Sequence, residues 1–351
     1  MDVQKNLVNT IIRFKHDLDR IPELGWNEKK TSEYIVSQLG DEYLWKEQTA
    51  IVYTLGDGPS VFFRAELDAL ATTEGIKHVC GHSAHLAALM GAYLYFRQYP
   101  PHAKVHFFFQ PCEEGYPSGA KKIADTYPFF KDCKFGFAFH TYPSDEPGIL
   151  MNPVMASGDY VEIDVRGQGT HIKNKYQFCR GDVAVAASEL LLELNRSTFS
   201  DALINIGVFS AGESPNSIAG AAKLAGDVRA LTIQGKAKVI AFLKEKMEQM
   251  REKYPRISFT EKYYDGYPLF KNNSHLLVRA QSIFSITKEI RTFATEDFSL
   301  YPIPTLFLLI GTGLNTELHE IDYVVPDTVL SLLFSHWITL GESLEKIMMI
   351  E

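Results

Sequence analysis

Residues 78–85 concentrate three imidazoles and one thiol within a single short stretch of the chain. Cys80 and His82 stand two positions apart, and the glycine between them lets the backbone bend so that both side chains converge. A thiolate and an imidazole placed in this way can bind one divalent ion from the same side. Two ligands cannot close a tetrahedron, so this motif predicts acidic or imidazole partners elsewhere in the sequence.

Apolar, strand-like runs elsewhere in the chain end in residues of the required kinds. The residues at these ends are Glu113, Glu114, His140 and His319, after the runs 105–110, 135–139 and 305–310. In open α/β sheets, ligands collect at the carboxyl ends of the strands, so these endings can face one site. The sequence therefore predicts a metal site built from strand ends.

Strand-like and helix-like segments alternate over the first part of the chain, which implies a mostly parallel sheet covered by helices on both faces. The order of the predicted elements then changes to β-α-β-β-α-β. This is the order of a self-contained ferredoxin-like unit, inserted here between strands of the sheet. A further strand and a C-terminal helix follow it. We therefore predict an α/β domain formed by residues 1–157 and 265–351, with an inserted α+β domain at 158–264.

Composition excludes several classes of protein. The net charge is −8 at pH 7, and no basic stripe is present that could bind nucleic acid. No apolar run approaches the roughly 20 residues of a membrane span. The N-terminal residues do not resemble a signal peptide, so we expect a cytoplasmic protein. Four cysteines lie far apart in sequence and predict reduced thiols rather than a disulfide framework: Cys80, Cys112, Cys133 and Cys179.

Motifs spread over nearly the whole length resemble one known family. They are His16-Asp17-Leu18 with Ile21-Pro22-Glu23-Leu24-Gly25, then Arg64-Ala65-Glu66-Leu67-Asp68-Ala69-Leu70, the stretch 78–85, Gln110-Pro111-Cys112-Glu113-Glu114-Gly115, Thr295-Glu296-Asp297-Phe298 and Leu318-His319. Together they resemble the amidohydrolase subfamily of the clan MH dinuclear metallopeptidases. That subfamily includes hippurate hydrolases, plant auxin-conjugate hydrolases and bacterial N-acetyldiaminopimelate deacetylases.

The resemblance implies roles for the residues at the strand ends. Five of them would bind two divalent ions, either zinc, manganese, cobalt or nickel: Cys80, His82, Glu114, His140 and His319. Cys80 would bridge the ions, Glu113 would be the general base, and Asp68 would orient the bridging group. The implied reaction is hydrolysis of the amide bond of a small N-acyl amino acid, with metal-activated water as the nucleophile.

The inserted block also carries features of the family. The segment 167–171 resembles a Gly-Gly-His segment of the lid, whose histidine, here His171, would reach the active site of a partner subunit. Asn216 and Arg229 fall where the family binds the carboxylate end of the substrate. The resemblance thus implies that the inserted block is a lid and dimerisation domain, and that the protein is a homodimer.

Some positions depart from the family pattern, and other functions stay open. Ser83 and Glu66 stand where the subfamily usually has Asp, and the loop 172–176 after His171 differs from the usual one. A dipeptidase or aminopeptidase could use the same centre on dipeptide substrates, and a catalytically silent metal-binding homologue could keep the fold. A cysteine hydrolase built on Cys80 is a more distant alternative, which a chelator would not inactivate.

Overall fold

The computed structural model describes residues 2–127, 129–177 and 182–348. The chain divides into two compact units. The large unit comprises residues 1–153, 271–291 and 300–351, and the small unit comprises residues 154–270 and 292–299. The domain boundaries at 158 and 264 stay a prediction from the sequence.

The large unit is built on an eight-stranded sheet. From one edge to the other, its strands are Trp45–Glu47, Ala50–Leu55, Lys104–Gln110, Ser60–Glu66, Cys133–Tyr142, Thr305–Thr312, Pro147–Met151 and Ile286–Glu289. The third to the sixth of these strands run parallel to one another, which confirms the mostly parallel sheet. Their carboxyl ends therefore lie along one edge, as the strand endings predict.

Aromatic side chains of the central strands pack against covering residues on both faces of the sheet. Successive side chains of a strand point to opposite faces. The ring of Phe63 packs 5.7 Å from that of Phe107 and 4.8 Å from that of Trp337. On the opposite face, the ring of Phe62 lies 5.2 Å from that of Phe130. A strand buried in this way on both sides reads as a continuous apolar run, because neither face meets water.

Helices supply the two covering layers of the large unit. They are Asp2–Leu18, Lys29–Leu39, His82–Gln98, Gly119–Thr126, Phe129–Asp132, Ser274–Ile283, Asp327–Glu342 and Leu344–Met348. The helix His82–Gln98 is buried along most of its length and contacts the helices at both ends of the chain. Its first residue follows Gly81 in the left-handed region, at φ 89°. The short strands Leu70–Thr72 and Gly75–Lys77 form a hairpin.

The small unit confirms the predicted β-α-β-β-α-β order. Its antiparallel sheet runs Ala202–Ala211, Ala221–Ala230, Ser157–Arg166 and Ser258–Tyr267 from edge to edge. The helices Val183–Asn195 and Ile233–Lys253 bury one face of this sheet in a separate apolar core. A short ladder pairs Thr170–His171 with Ser217–Ile218. Among the described residues, no helix has the length and apolarity needed to cross a bilayer.

Asn272 closes a gap beside the last parallel strand. Its buried side-chain amide donates to the carbonyls of Asn152 and Phe307, at 2.6 and 2.8 Å, and accepts from the N–H of Phe307 at 2.6 Å. The side chain thus makes hydrogen bonds to backbone groups that a neighbouring strand would otherwise make. Replacing it would leave buried backbone groups without hydrogen bonds, and each such group costs about 1–3 kcal/mol.

We expect Asn272→Ala to lower the free energy of unfolding of the large unit by at least about 2 kcal/mol. The neighbouring Asn273→Asp variant is the matched control, because Asn273 caps the helix Ser274–Ile283 and Asp caps equally well. Chemical denaturation followed by tryptophan fluorescence measures both. Equal midpoints for the two variants would contradict the role of Asn272.

Candidate metal centre

The seven site residues predicted in the large unit lie at the carboxyl edge of its sheet. Asp68 follows the strand Ser60–Glu66, and His140 lies within the strand Cys133–Tyr142. The remaining residues are carried by the turn into the helix His82–Gln98 and by the loops after two more strands: Cys80, His82, Glu113, Glu114 and His319. Five different segments of the chain therefore contribute to one cluster.

The turn Cys80-Gly81-His82 depends on its glycine. Gly81 has a φ of 89°, which L side chains rarely adopt, and a Cβ atom there would collide with the hydroxyl of Thr141. His82 is 1% exposed, and its Nδ1 donates to the backbone carbonyl of Asp68 at 2.8 Å. Since that carbonyl can only accept, Nδ1 of His82 carries a proton, and Nε2 is the ring nitrogen left to bind a metal ion. This nitrogen has no hydrogen bond among the described residues.

The two glutamates are presented by a strained loop. Cys112 has a φ of 48°, and its N–H donates to a carboxylate oxygen of the buried Glu28 at 2.8 Å. The N–H of Glu114 donates to Oδ2 of Asp68 at 2.9 Å. Asp68 therefore ties the glutamate loop to the strand beside it. Glu113 is 7% exposed, so its carboxylate lies largely out of contact with solvent.

His140 and His319 complete the cluster from the other side. Nδ1 of His140 donates to the carbonyl of Thr141 at 2.7 Å, and its Nε2 lies 3.5 Å from Sγ of Cys80. His319 has a φ of 69°, and its N–H donates to the carbonyl of Val79 at 2.8 Å. Nε2 of His319 lies 3.2 Å from Oε1 of Glu114. The bond to Thr141 orients the ring of His140, and the bond to Val79 holds the backbone of His319.

The donor atoms fit two metal positions that share one thiol. Cys80, His82 and His140 form one triad with ligand atoms within 4.8 Å of one another, and Cys80, Glu114 and His319 form another. Nε2 of His82 and Oε1 of Glu114 are buried and have no hydrogen bond among the described residues. Buried polar atoms normally find partners, so atoms of this kind converging on one point fit a bound cation. His82, Glu113 and Glu114 form a third triad with the same spacing. The carboxylate of Glu113 therefore also lies close to the ligand atoms of His82 and Glu114.

The electrostatics of the cluster favour a bound cation. Burial and the carboxylates of Glu114 and Glu113 raise the pKa of the Cys80 thiol well above its usual range. Burial lowers the pKa of His82, but its hydrogen bond to Asp68 and the surrounding carboxylates outweigh burial and raise that pKa to about 9. Protons on these two groups therefore balance the acidic residues, and a divalent ion would compete with those protons for the same atoms.

Sequence reasoning left out several residues that support this cluster. Glu66, which lies two residues before Asp68, is fully buried, is paired with the buried Arg64, and binds Nδ1 of His85 at 2.9 Å. Glu28 also accepts from the hydroxyl of Thr49 at 2.8 Å. Burial raises the pKa of Glu28. The motif around Gly25 could have indicated from the sequence that this segment packs against the glutamate loop. A Cβ atom at Gly25 would collide with the side chain of Cys112.

The other predicted residues belong to the small unit. His171 and Asn216 are exposed neighbours, since His171 pairs with Ser217 and the N–H of Ile172 donates to the carbonyl of Asn216 at 2.9 Å. Arg229 donates through Nε to Oδ2 of Asp227, and its Nη2 lies 3.0 Å from the same oxygen. Its Nη1 donates to the carbonyl of Phe293 at 3.0 Å. Arg229 is thus held within its own unit by a carboxylate.

The cysteines of the described residues are free. Cys80, Cys112 and Cys133 are buried and make no disulfide. Cys179, the fourth cysteine predicted to be reduced, lies outside the described residues.

The described residues thus form an α/β unit with a candidate metal centre at its sheet edge, and a ferredoxin-like unit is inserted in the chain. The family model "Peptidase family M20/M25/M40" matches residues 62–331, and the chain belongs to that family. It is therefore a hydrolase that acts on amide bonds. This finding confirms the family recognised from the motifs.

Individual relatives agree with the family. The chain is 29% identical over 381 aligned positions to an N-acetyldiaminopimelate deacetylase from Halalkalibacterium halodurans, covering 95% of this chain and 99% of the relative. The crystal structure of the YXEP protein of Bacillus subtilis, described as a dinuclear metal-binding peptidase from the M20 family, is similar with a TM-score of 0.81 at 24% identity, over 97% of this chain and 99% of that one. The aminopeptidase PepT of Bacillus cereus has a similar fold, with a TM-score of 0.75 at 18% identity, over 97% of this chain and 99% of that one.

We expect zinc binding to release protons. His82 has a pKa raised from its ordinary 6.5 to about 9, so its proton stabilises the metal-free folded protein below pH 6.5 and is lost as the pH rises through about 9. Zinc affinity should therefore rise with pH across this window, by about tenfold per pH unit for each proton displaced. Calorimetric titration in buffers of different ionisation enthalpy measures the number of protons released.

Cys80→Ala is the matched variant for this measurement. It removes the thiol proton and one ligand, but leaves the proton of His82 in place. Its zinc affinity should be lower and should depend less steeply on pH than that of the unaltered protein. An affinity independent of pH between 6.5 and 9 in the unaltered protein would contradict the competition between proton and metal.

Proposed function

We propose that this protein hydrolyses the amide bond of a small N-acyl amino acid and uses two divalent ions held at the sheet edge. The observation that carries the proposal is the pair of ligand triads sharing the thiol of Cys80. The residues that would hold the ions are those the family pattern implies: Cys80, His82, Glu114, His140 and His319. Divalent ions bound there would lower the pKa of water from 15.7 to about 7 and polarise the amide carbonyl.

Glu113 is the proposed general base. A carboxylate that is not a ligand takes the proton of the attacking water and delivers it to the leaving amine, a role worth about 10²–10⁴ in rate. Its nearest carboxylate oxygen lies 3.9 Å from Nε2 of His82, which is within reach of a small molecule held at the centre. Asp68 supports the arrangement, since it accepts from the N–H of Glu114 and binds the residue His82 through its backbone carbonyl.

The small unit carries the proposed groups for the rest of the substrate. Arg229 would bind the carboxylate of the amino acid, because a guanidinium has five N–H donors and its contacts with Asp227 and Phe293 use three of them. Asn216 would bind the same end. His171 would stabilise the oxyanion of the tetrahedral intermediate in the active site of a partner subunit. A homodimer formed through the small units is part of this proposal.

A substrate screen tests the proposed function. The metal-depleted protein, reconstituted with zinc, manganese, cobalt or nickel, is assayed against N-acetyl, N-succinyl and aroyl amino acids and against dipeptides. We expect hydrolysis of N-acyl amino acids, with N-acetyl compounds the first candidates because the similar Halalkalibacterium halodurans relative is a deacetylase. Full activity in the presence of chelator would contradict the proposal and would favour a cysteine hydrolase.

A peptidase is the second candidate, because the family that matches the chain is named for peptidases. The same centre would cleave a dipeptide by the same chemistry. Hydrolysis of dipeptides alone in the screen would establish this alternative. Stoichiometric metal without hydrolysis of any compound would favour a catalytically silent homologue.

The two adjacent glutamates should behave differently when altered. Glu113→Gln should retain both metal ions and lower kcat by at least about 10²-fold, because it removes the proton carrier and no ligand. Glu114→Gln should instead lose metal. Elemental analysis and steady-state kinetics on both variants measure the two properties. The reverse pattern would mean that the roles of the glutamates are exchanged.

Mixed dimers test the proposed role of His171. We expect His171→Ala and Glu113→Gln chains each to be nearly inactive, and a mixed dimer to recover activity at one of its two sites. That site combines an intact Glu113 with an intact His171 from the partner. Isolated mixed dimers as inactive as the parent variants would exclude a site shared between subunits.

A further inference from the structure

We infer that His85 is a positioning residue that orients the ligand His140 through the backbone of Thr141. This inference rests on the proposed metal centre and names a residue that lies behind it. His85 is 1% exposed and sits one helical turn after His82. Its ring packs against that of His140, with the ring centroids 4.4 Å apart.

Both ring nitrogens of His85 are engaged, and their partners fix its tautomer. Nε2 lies 2.9 Å from the backbone nitrogen of Thr141. A backbone N–H can only donate, so Nε2 accepts and Nδ1 carries the proton. Nδ1 then donates to Oε2 of Glu66 at 2.9 Å. Glu66, His85 and His140 have the spacing of a metal triad, but these hydrogen bonds leave His85 no lone pair for an ion.

Thr141 connects His85 to the ligand. Its N–H donates to His85, and its carbonyl accepts from Nδ1 of His140 at 2.7 Å. This peptide segment therefore holds the ring of His140 with Nε2 directed towards Sγ of Cys80, 3.5 Å away. A shift of the Thr141 backbone would turn the ligand ring, because the acceptor for Nδ1 would move with it.

Buried charge fixes the far end of this network. Arg64 is fully buried, pairs with Oε1 of Glu66, and donates through Nε to Oε1 of Gln110 at 2.9 Å. The carboxylate of Glu66 is thus held as an acceptor, and only a protonated Nδ1 of His85 can satisfy it. Each hydrogen bond is then donated towards Glu66: from His140 to Thr141, from Thr141 to His85, and from His85 to Glu66. Partners of this kind behind a ligand affect metal affinity by about 10–100-fold.

Two amide variants distinguish the contact made by Nε2 of His85 from the contact made by Nδ1. In His85→Gln, the side-chain oxygen can reach the position of Nε2 and accept from the N–H of Thr141. In His85→Asn, the shorter amide can replace only Nδ1 and donate to Glu66. Thr141→Val is the matched control, because it removes the hydroxyl that lies 2.9 Å from Nε2 of His85 but keeps the backbone N–H.

Titration of the metal-depleted protein with Co²⁺, followed by its visible absorption, provides a readout independent of hydrolysis. We expect His85→Asn to bind Co²⁺ about 10–100-fold more weakly and with an altered spectrum per bound ion. His85→Gln and Thr141→Val should retain a spectrum and an affinity close to those of the unaltered protein. Far-ultraviolet circular dichroism without metal checks that each variant is folded.

The outcomes separate this role from the proposed function. Unchanged affinity and spectrum in His85→Asn would overturn the positioning role alone, and so would an equal loss in all three variants. If His85→Asn did not fold, loss of the Co²⁺ spectrum in His85→Gln would still overturn it. An unaltered protein that bound no Co²⁺ would overturn the metal centre and this role together.

Discussion

Concentrated negative charge at the carboxyl edge of the sheet is the constraint on which the site depends. Asp68 is fully buried, Glu113 is nearly so, and the thiol of Cys80 lies among them. Burying an ionised carboxylate is unfavourable unless a counter-charge or several hydrogen bonds compensate it. Glu66 has such a partner in Arg64. The ligand cluster has instead the imidazole of His82 and donor atoms turned towards a common centre, which is the arrangement a divalent cation completes.

The backbone must accept strain to bring these groups together. Gly81, Cys112 and His319 all have positive φ values, and each lies in or beside a segment that carries a proposed ligand. The strained residues are held by specific hydrogen bonds, from Cys112 to Glu28 and from His319 to Val79. Conformations of this kind persist only where the surrounding structure over-determines them. The well-packed sheet below supplies that support, so the core and the site cannot be varied independently.

Strand endings could be predicted from the sequence because they depend on local patterns. The apolar runs before Glu113 and His140 predict buried strands, and parallel strands end at a common edge of the sheet. The helix His82–Gln98 begins four residues before Leu86, its first large apolar residue, because Gly81 turns the chain directly into it. This earlier start places His82 and His85 on one face of the first turn. The role of His85 could not be predicted, since its partners Glu66 and Thr141 are distant in sequence and no periodicity connects them.

The division of the chain into two units has a consequence for how substrate preference can change. The proposed metal ligands and general base lie in the large unit, whereas His171, Asn216 and Arg229 lie in a unit with its own apolar core. The loop that departs from the family pattern belongs to the small unit, and in it Tyr176 is 92% exposed. A ring so exposed contributes little to the stability of its unit, so this loop can vary without disturbing the core beneath it. Substitutions there can alter contacts with a substrate or a partner, while the proposed metal ligands stay fixed by the sheet.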